Sequence, residues 1–243
     1  MNRKFEHSKY KIPVILNITF FIVFVGFKYD TRDNTKYTIG QLLTETVTDY
    51  DGNIYKTVKI GDQIWMVENL KVTHYCDGTS IPNVYDNEEW QFKTDGAYCM
   101  VNNDSVVYKN VYGLLYNFYA VSNIRNICPE GWHVPSEAEC MKLINYLGGK
   151  EVAGSKIKDN STNLWNSKNV RDTNESGFSG LPAGGRGRLG SPGEAGDYAT
   201  WWSSSSCDSM YAWHWGLYPN KDCIRSNPGH KASGFSVRCI KDW

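Results

Sequence analysis

The chain has 243 residues, 41% apolar, 14% aromatic and 21% charged, long enough to bury the core of one domain or two small ones. Lys+Arg and Asp+Glu both total 26, so the basic excess of a nucleic-acid binder is absent. Nine Trp, 16 Tyr and nine Phe exclude disorder for the bulk of the chain, while seven Cys and 22 Gly point to a loop-rich, exported domain.

The zero charge averages two unlike parts. Residues 1–27 carry Arg3, Lys4, Lys9 and Lys11 against Glu6, which leaves the remainder mildly acidic. From Ile12 to Phe27 runs IPVILNITFFIVFVGF, apolar except for Asn17 and Thr19 and without charge. A basic start before a short apolar run is the pattern of a secretory signal. As a helix this run reaches ~24 Å, short of a ~30 Å hydrocarbon core. No small-x-small cleavage site follows, and the first Cys is Cys76, so there is no lipid-bearing Cys at the exit. Residues 1–27 are therefore read as a signal peptide or, if uncleaved, a membrane anchor acting through residues 12–27. Residues 28–46 are polar, contain neither Cys nor Trp, and read as a linker.

From Val47 the texture changes. An Asp-Gly turn at Asp51-Gly52 leads into an alternating strand through Tyr55, Val58 and Ile60, then a Gly-Asp turn and a second strand over Gln63–Leu70, a hairpin. Within Tyr112–Ser122, Leu115, Tyr116, Tyr119 and Ala120 recur at helical spacing and predict a short amphipathic helix. Ser136 precedes Glu139 by three residues, a capping box for a second helix that runs to Leu147 and stops at Gly148-Gly149. From Ala153 onward the pattern is short strands and turns. The order predicts an α+β single domain over residues 47–243, with two short helices and several short, mostly antiparallel strands.

The blocks DGNIYKTVKIGDQIWMVENLKV, DGTSIPNV, YGLLYNFYAV, CPEGWHVPSEAE, NYLGG, ESGFSGLPAGGR, WWSSS and KASGFSVRCIKD stand in one order along residues 48–243. Together they resemble the Fibrobacter succinogenes major paralogous domain, a family of exported and surface proteins of Bacteroidetes and related bacteria. The resemblance implies a C-type-lectin-like fold, related to formylglycine-generating and sulfatase-modifying-factor domains, and implies little about activity. Two features depart from the family pattern. Cys140 stands where Trp is more usual, and the stretch between Arg186 and Trp201 is richer in Gly and Pro.

In a lectin-like fold the last strand returns beside the first, and a disulfide ties the helical region to it. On that basis Cys128 and Cys239 form the first expected bridge, Cys207 and Cys223 a second and Cys76 and Cys99 a third, with Cys140 left as a buried thiol. Spacing alone leaves all pairings open. No CxxC or Cys/His cluster has metal spacing, so structural zinc is not expected.

The aromatic cluster Trp201, Trp202, Tyr211, Trp213, Trp215 and Tyr218 is the main signal for binding, since indole faces stack on the apolar faces of sugars. Strand alternation turns one set of rings inward. Trp202 and Trp213 are read as core, and Trp201 and Trp215 as open to a ligand. With them, Arg186, Arg188, Asp197, Asn220 and Arg225 complete the candidate ligand-binding set. The EPN, QPD and WND motifs of calcium-dependent lectins are absent; the nearest strings are Trp165-Asn166-Ser167 and Glu88-Glu89. No cofactor is expected, although a single structural calcium on loop oxygens stays open.

His7, His74, His133, His214 and His230 form no HExxH or triad spacing, and His133 in GWHVPS reads as structural. Gly184–Gly190 lacks the GxxxxGK[ST] pattern of a phosphate loop. The relatives' reactive cysteine pair does not map onto this chain, so no catalytic residue is expected. The expectation is an exported cell-envelope, cell-surface or secreted binding module for a glycan or a surface protein, with no nucleic-acid partner. The alternatives are a structural envelope module and a modifying-factor-like oxidase.

Overall fold

The computed structural model describes residues 40–103, 106–167 and 169–243; residues 1–27, read above as a signal peptide or anchor, and linker residues 28–39 lie outside the described residues. Strand β1 (Gln41–Thr48) begins inside the segment read as linker and meets β2 (Ile54–Ile60) across the expected Asp51-Gly52 turn. Gly52 N donates to the Asp49 carbonyl at 3.0 Å, and Asn53 N donates to its carboxylate at 2.9 Å. The Gly61-Asp62 turn then opens β3 (Gln63–Met66). This strand stops at Met66 rather than Leu70, because Leu70 N turns to the Val237 carbonyl at 2.8 Å.

The middle of the chain is built from short pieces. Helix α1 (Asn87–Phe92) is capped by Asp86, whose carboxylate accepts from Glu89 N at 2.8 Å. Strand β4 (Tyr98–Met100), α2 (Val106–Tyr112), β5 (Leu114–Asn117) and α3 (Phe118–Val121) follow. The helix predicted over Tyr112–Ser122 is thus half strand. All four residues of β5 are buried, and Leu114, Leu115 and Tyr116 pair with β4, a tertiary gain that overrides their helical spacing. Asn117 then caps α3 by accepting from Ala120 N at 3.0 Å.

Strand β6 (Trp132–His133) precedes α4 (Glu137–Tyr146), where the expected capping box forms in both directions and Leu147 is the C-cap. Helix α5 (Ala153–Ile157) follows. Five α-helices therefore occur among the described residues where two were expected. Helices α1, α3 and α5 have 6, 4 and 5 residues, too few for a 3.6-residue period to register in sequence.

The C-terminal part supplies β7 (Gly185–Arg186), β8 (Pro192–Gly193), β9 (Ala199–Ser206), β10 (Tyr211–Leu217), β11 (Ile224–His230), β12 (Gly234–Phe235) and β13 (Ile240–Lys241). Three sheets result, ordered β1-β2-β3-β13-β6, β11-β10-β9 and β4-β5-β12-β7-β8, with antiparallel pairing between these strands. The described residues belong to one compact unit, a mixed α+β domain. No helix among the described residues is long and apolar enough to cross a membrane.

Strand β9 lies between two parts of the core. Trp202 joins Tyr55, Leu70 and Tyr116 on one side. Trp201 joins Trp65, Phe178 and Trp215 on the other.

Cys128 and Cys239 are bridged, closing 111 residues and tying the segment before β6 to the segment before β13. The other two expected bridges are corrected, since Cys76, Cys99, Cys207 and Cys223 carry free thiols, as does buried Cys140. Cys207 N bonds the Tyr211 carbonyl at one end of β10, while Cys223 precedes Ile224, the partner of Leu217 at the other end. Seven residues at ~3.4 Å each hold these thiols about 20 Å apart, far beyond disulfide reach. Cys99 is sealed on β4 near Arg186, its thiol pushed up to about 11 by burial. Cys76 is exposed and donates instead to the Cys128 carbonyl at 2.6 Å.

Candidate functional site

Of the candidate ligand-binding residues, the two indoles move into the core. Trp201 and Trp215 are each 1% exposed, stacked with ring centres 4.6 Å apart and edged by Phe178. Trp201 Nε1 donates to Asn69 Oδ1 at 2.8 Å. The Arg238 guanidinium, fully buried, lies 4.0 Å from the Phe178 ring and donates to Asn69 Oδ1 and to the Phe178 carbonyl. Burial lowers its pKa to about 9, which still leaves it cationic near neutrality. Alternation does place Trp201 opposite Trp202, but both faces of β9 are covered. Trp202 is buried too, donating to the Tyr116 carbonyl at 2.8 Å, whereas Trp213 is half-buried.

Arg186 is likewise a structural residue and not a ligand group. It is 2% exposed, with its guanidinium 4.4 Å from the Trp90 ring. Its nitrogens donate to the carbonyls of Gly190, Val84, Tyr85 and Asp86 and to Asn87 Oδ1. Enclosed in this way, it presents no accessible donor to a sugar. Arg188, two residues on, is exposed and close enough to His230 to disfavour its charge, after the larger effect of burial.

Asp197, Asn220 and Arg225 do come together. Register pairs Ala199 with Leu217 and Leu217 with Ile224, so the ends of β9, β10 and β11 bring all three to one end of the small sheet. Asn166 Nδ2 donates to Asp197 Oδ1 at 2.9 Å, and Asn220 Nδ2 donates to Ser167 Oγ at 2.7 Å. The Arg225 guanidinium lies 5.9 Å from the Tyr218 ring centre. Tyr198 has its pKa raised by burial first, then by the nearby Tyr218 and Asp197. Asn166, Ser167 and Tyr198 are the residues that sequence reasoning missed as site members. Their signal was the Trp165-Asn166-Ser167 string, noted only as a failed calcium motif. An acid, two amides, a guanidinium and two phenol rings at one sheet end suit hydrogen bonding to hydroxyls with ring contact beside it.

Among the described residues, no group of three or more His, Cys, Asp or Glu could hold a metal ion. Glu88 and Glu89 stand exposed in the first turn of α1. Asp172 faces a cation the chain itself supplies, Lys158, whose ammonium is 3.6 Å away and donates to the Lys221 carbonyl at 2.7 Å. His133 is hydrogen-bonded at both nitrogens, Nδ1 to Asp242 at 2.5 Å and Nε2 to Glu139 at 3.0 Å. The described surface also carries two open grooves. One of about 460 Å³ lies over Cys76, Asp49 and Glu130, and one of about 550 Å³ lies along Lys59–Gln63 and α4.

A family model described as the Fibrobacter succinogenes major domain matches residues 58–241, within the span of the sequence blocks. No curated protein and no solved structure matches the chain.

Proposed function

The chain belongs to the Fibrobacter succinogenes major domain family, and we propose that this member is an exported cell-surface binding module for glycan or protein ligands, without chemistry of its own. The observation that carries the reading is the sheet-end cluster of Asp197, Asn220 and Arg225 beside Tyr198 and Tyr218. Hydroxyl-rich ligands are recognised by such mixed amide, acid and guanidinium groups next to a ring. Export fits the basic, apolar start and the closed Cys128–Cys239 bridge, which is stable in an oxidising compartment. A C-type-lectin-like fold is part of the same reading. It is supported by β13 returning between β3 and β6 and by the bridge that ties it to the helical region.

The test is a glycan array probed with the full chain, with and without calcium, alongside capture from envelope extracts. Binding that weakens in Arg225→Ala and Asn220→Ala supports the site. Silence on the array together with no captured partner overturns the reading. A structural envelope module is the second reading, favoured by the burial of Trp201 and Trp215. A modifying-factor-like oxidase would need two accessible thiols side by side; Cys99 and Cys140 are buried, and Cys207 and Cys223 sit at opposite ends of β10.

A further inference from the structure

We propose that Lys158 and Asp172 form a covalent modification site, at which the ε-amine and the carboxyl group condense into an amide cross-link. The bond closes residues 159–171, the loop from which Asn166 and Ser167 reach Asp197 and Asn220. It requires nothing of any ligand and stands independently of the binding-module reading.

This pair is set apart by dryness. Its side chains are 1% and 5% exposed, with Lys158 Nζ 3.6 Å from Asp172 Oδ1. In every other ion pair among the described residues, at least one partner keeps substantial contact with water. Lys156 and Glu175 are closer, at 3.3 Å, but 28% and 39% exposed, where hydrated charges persist as an ion pair. Around Lys158 Nζ, the Trp165 ring centre lies 5.3 Å away, and the Lys221 carbonyl accepts one N–H at 2.7 Å. Asp172 Oδ1 is buried and accepts no hydrogen bond among the described residues. Asp222, the other nearby carboxylate, is engaged by Arg171 and Asn169, so Asp172 is the acid left facing the amine.

Both backbones are pinned. Lys158 N donates to the Gly154 carbonyl and Asp159 N to the Gly180 carbonyl, each at 3.1 Å. Thr173 N donates to the Ser155 carbonyl at 2.8 Å, and Asn160 Nδ2 to the Asp172 carbonyl at 3.1 Å. Such fixed apposition raises the effective concentration of the amine at the carboxyl carbon by orders of magnitude over free reactants. Holding two charges and an unfilled acceptor out of water is costly, and neutralisation removes that cost. Burial lowers the Lys158 pKa more than Asp172 and Asp222 raise it, which brings the neutral amine within reach. One ammonium proton passes to Asp172 Oδ1, the freed Nζ lone pair attacks Cγ, and the Cγ–Oδ1 bond breaks. That oxygen leaves as water with a second proton from Nζ, so no oxidation state changes and no co-reactant is consumed.

The purified full chain is unfolded, reduced and digested with trypsin, and its peptides are weighed. Cleavage after Lys156, Lys168, Arg171 and Arg186 should yield one branched peptide joining 157–168 to 172–186, uncut at Lys158. Its mass is expected about 18 Da below the sum of the two parts, one water lost. Fragmentation should place the branch at Lys158 and Asp172. Lys158→Arg keeps a cation for Asp172 but no amine, and should release 172–186 as a free peptide. Cleavage after Lys158 in the native chain, with 172–186 found only as a free peptide, overturns the cross-link. A loss of water that maps elsewhere, as in a cyclic imide at Asp51-Gly52, overturns it equally. So does a branched peptide that persists in Lys158→Arg.

Discussion

The amide of Asn69 joins segments far apart in the chain. Its Oδ1 accepts from Trp201 and Arg238, and its Nδ2 donates to the Tyr112 carbonyl at 2.9 Å and Ser236 Oγ at 3.3 Å. Asn69→Ala leaves a buried guanidinium and an indole N–H without their acceptor, so a loss of about 3 kcal/mol or more is expected in urea unfolding. His133 supplies a pH-dependent contribution. Burial opposes its charge, but the bonds to Asp242 and Glu139 outweigh burial and raise its pKa above 6.5. Both ring nitrogens can donate only in the imidazolium form, so the folded chain holds this proton more tightly than the unfolded chain. The stabilisation is complete below the unfolded pKa and is lost as pH rises through the raised folded value. Thermal midpoints measured from about pH 6 to about pH 9 should therefore fall more for the native chain than for His133→Asn.

Elements differ in how far their own sequence dictates them. The β2–β3 hairpin over the Gly61-Asp62 turn and the capping box of α4 were legible because turn and cap chemistry is local. The segment after Tyr112 was not legible. Gly113 has φ +77°, and a Cβ there would meet the Leu70 carbonyl oxygen at 2.7 Å and Asn69 Cβ at 2.8 Å. Its backbone converts the end of α2 into β5, a step decided by packing against residues 69–70 rather than by helical spacing. Gly113→Ala should cost about 1–3 kcal/mol for the left-handed backbone, with the close contact added, read as a lower urea midpoint. Candidate-site residues followed the same division. Asp197, Asn220 and Arg225 converge because the β9–β10–β11 register is regular at the Ala199–Leu217–Ile224 end of the sheet, while Asn166 and Ser167 arrive from a loop that no period announces.

At the scale of the molecule, the single bridge closes the path from β6 to β13. Cys239→Ser should cost about 4–5 kcal/mol if loop entropy dominates, since the loop spans 111 residues. A non-reducing peptide map should show the Cys128–Cys239 bridge, with Cys76 and Cys207 alkylated in the native state and Cys99 and Cys140 only after unfolding. A mapped Cys207–Cys223 bridge would contradict the strand register that separates them.

The sequence by itself determined the family, the α+β class, the β2–β3 hairpin and the α4 cap, because these rest on local chemistry or on ordered blocks. The Cys128–Cys239 pair came only through the family resemblance. The tertiary structure decided which aromatic and charged groups face solvent. Alternation along β9 separates Trp201 from Trp202 but cannot say what lies over each face, and here packed layers cover both. Arg186 and Arg188 look alike in a glycine-rich string, yet one is enclosed by carbonyls and Trp90 while the other is exposed. Burial depends on neighbours distant in the chain, so the surface rings of Tyr146 and Trp243 emerged only once those neighbours were in place.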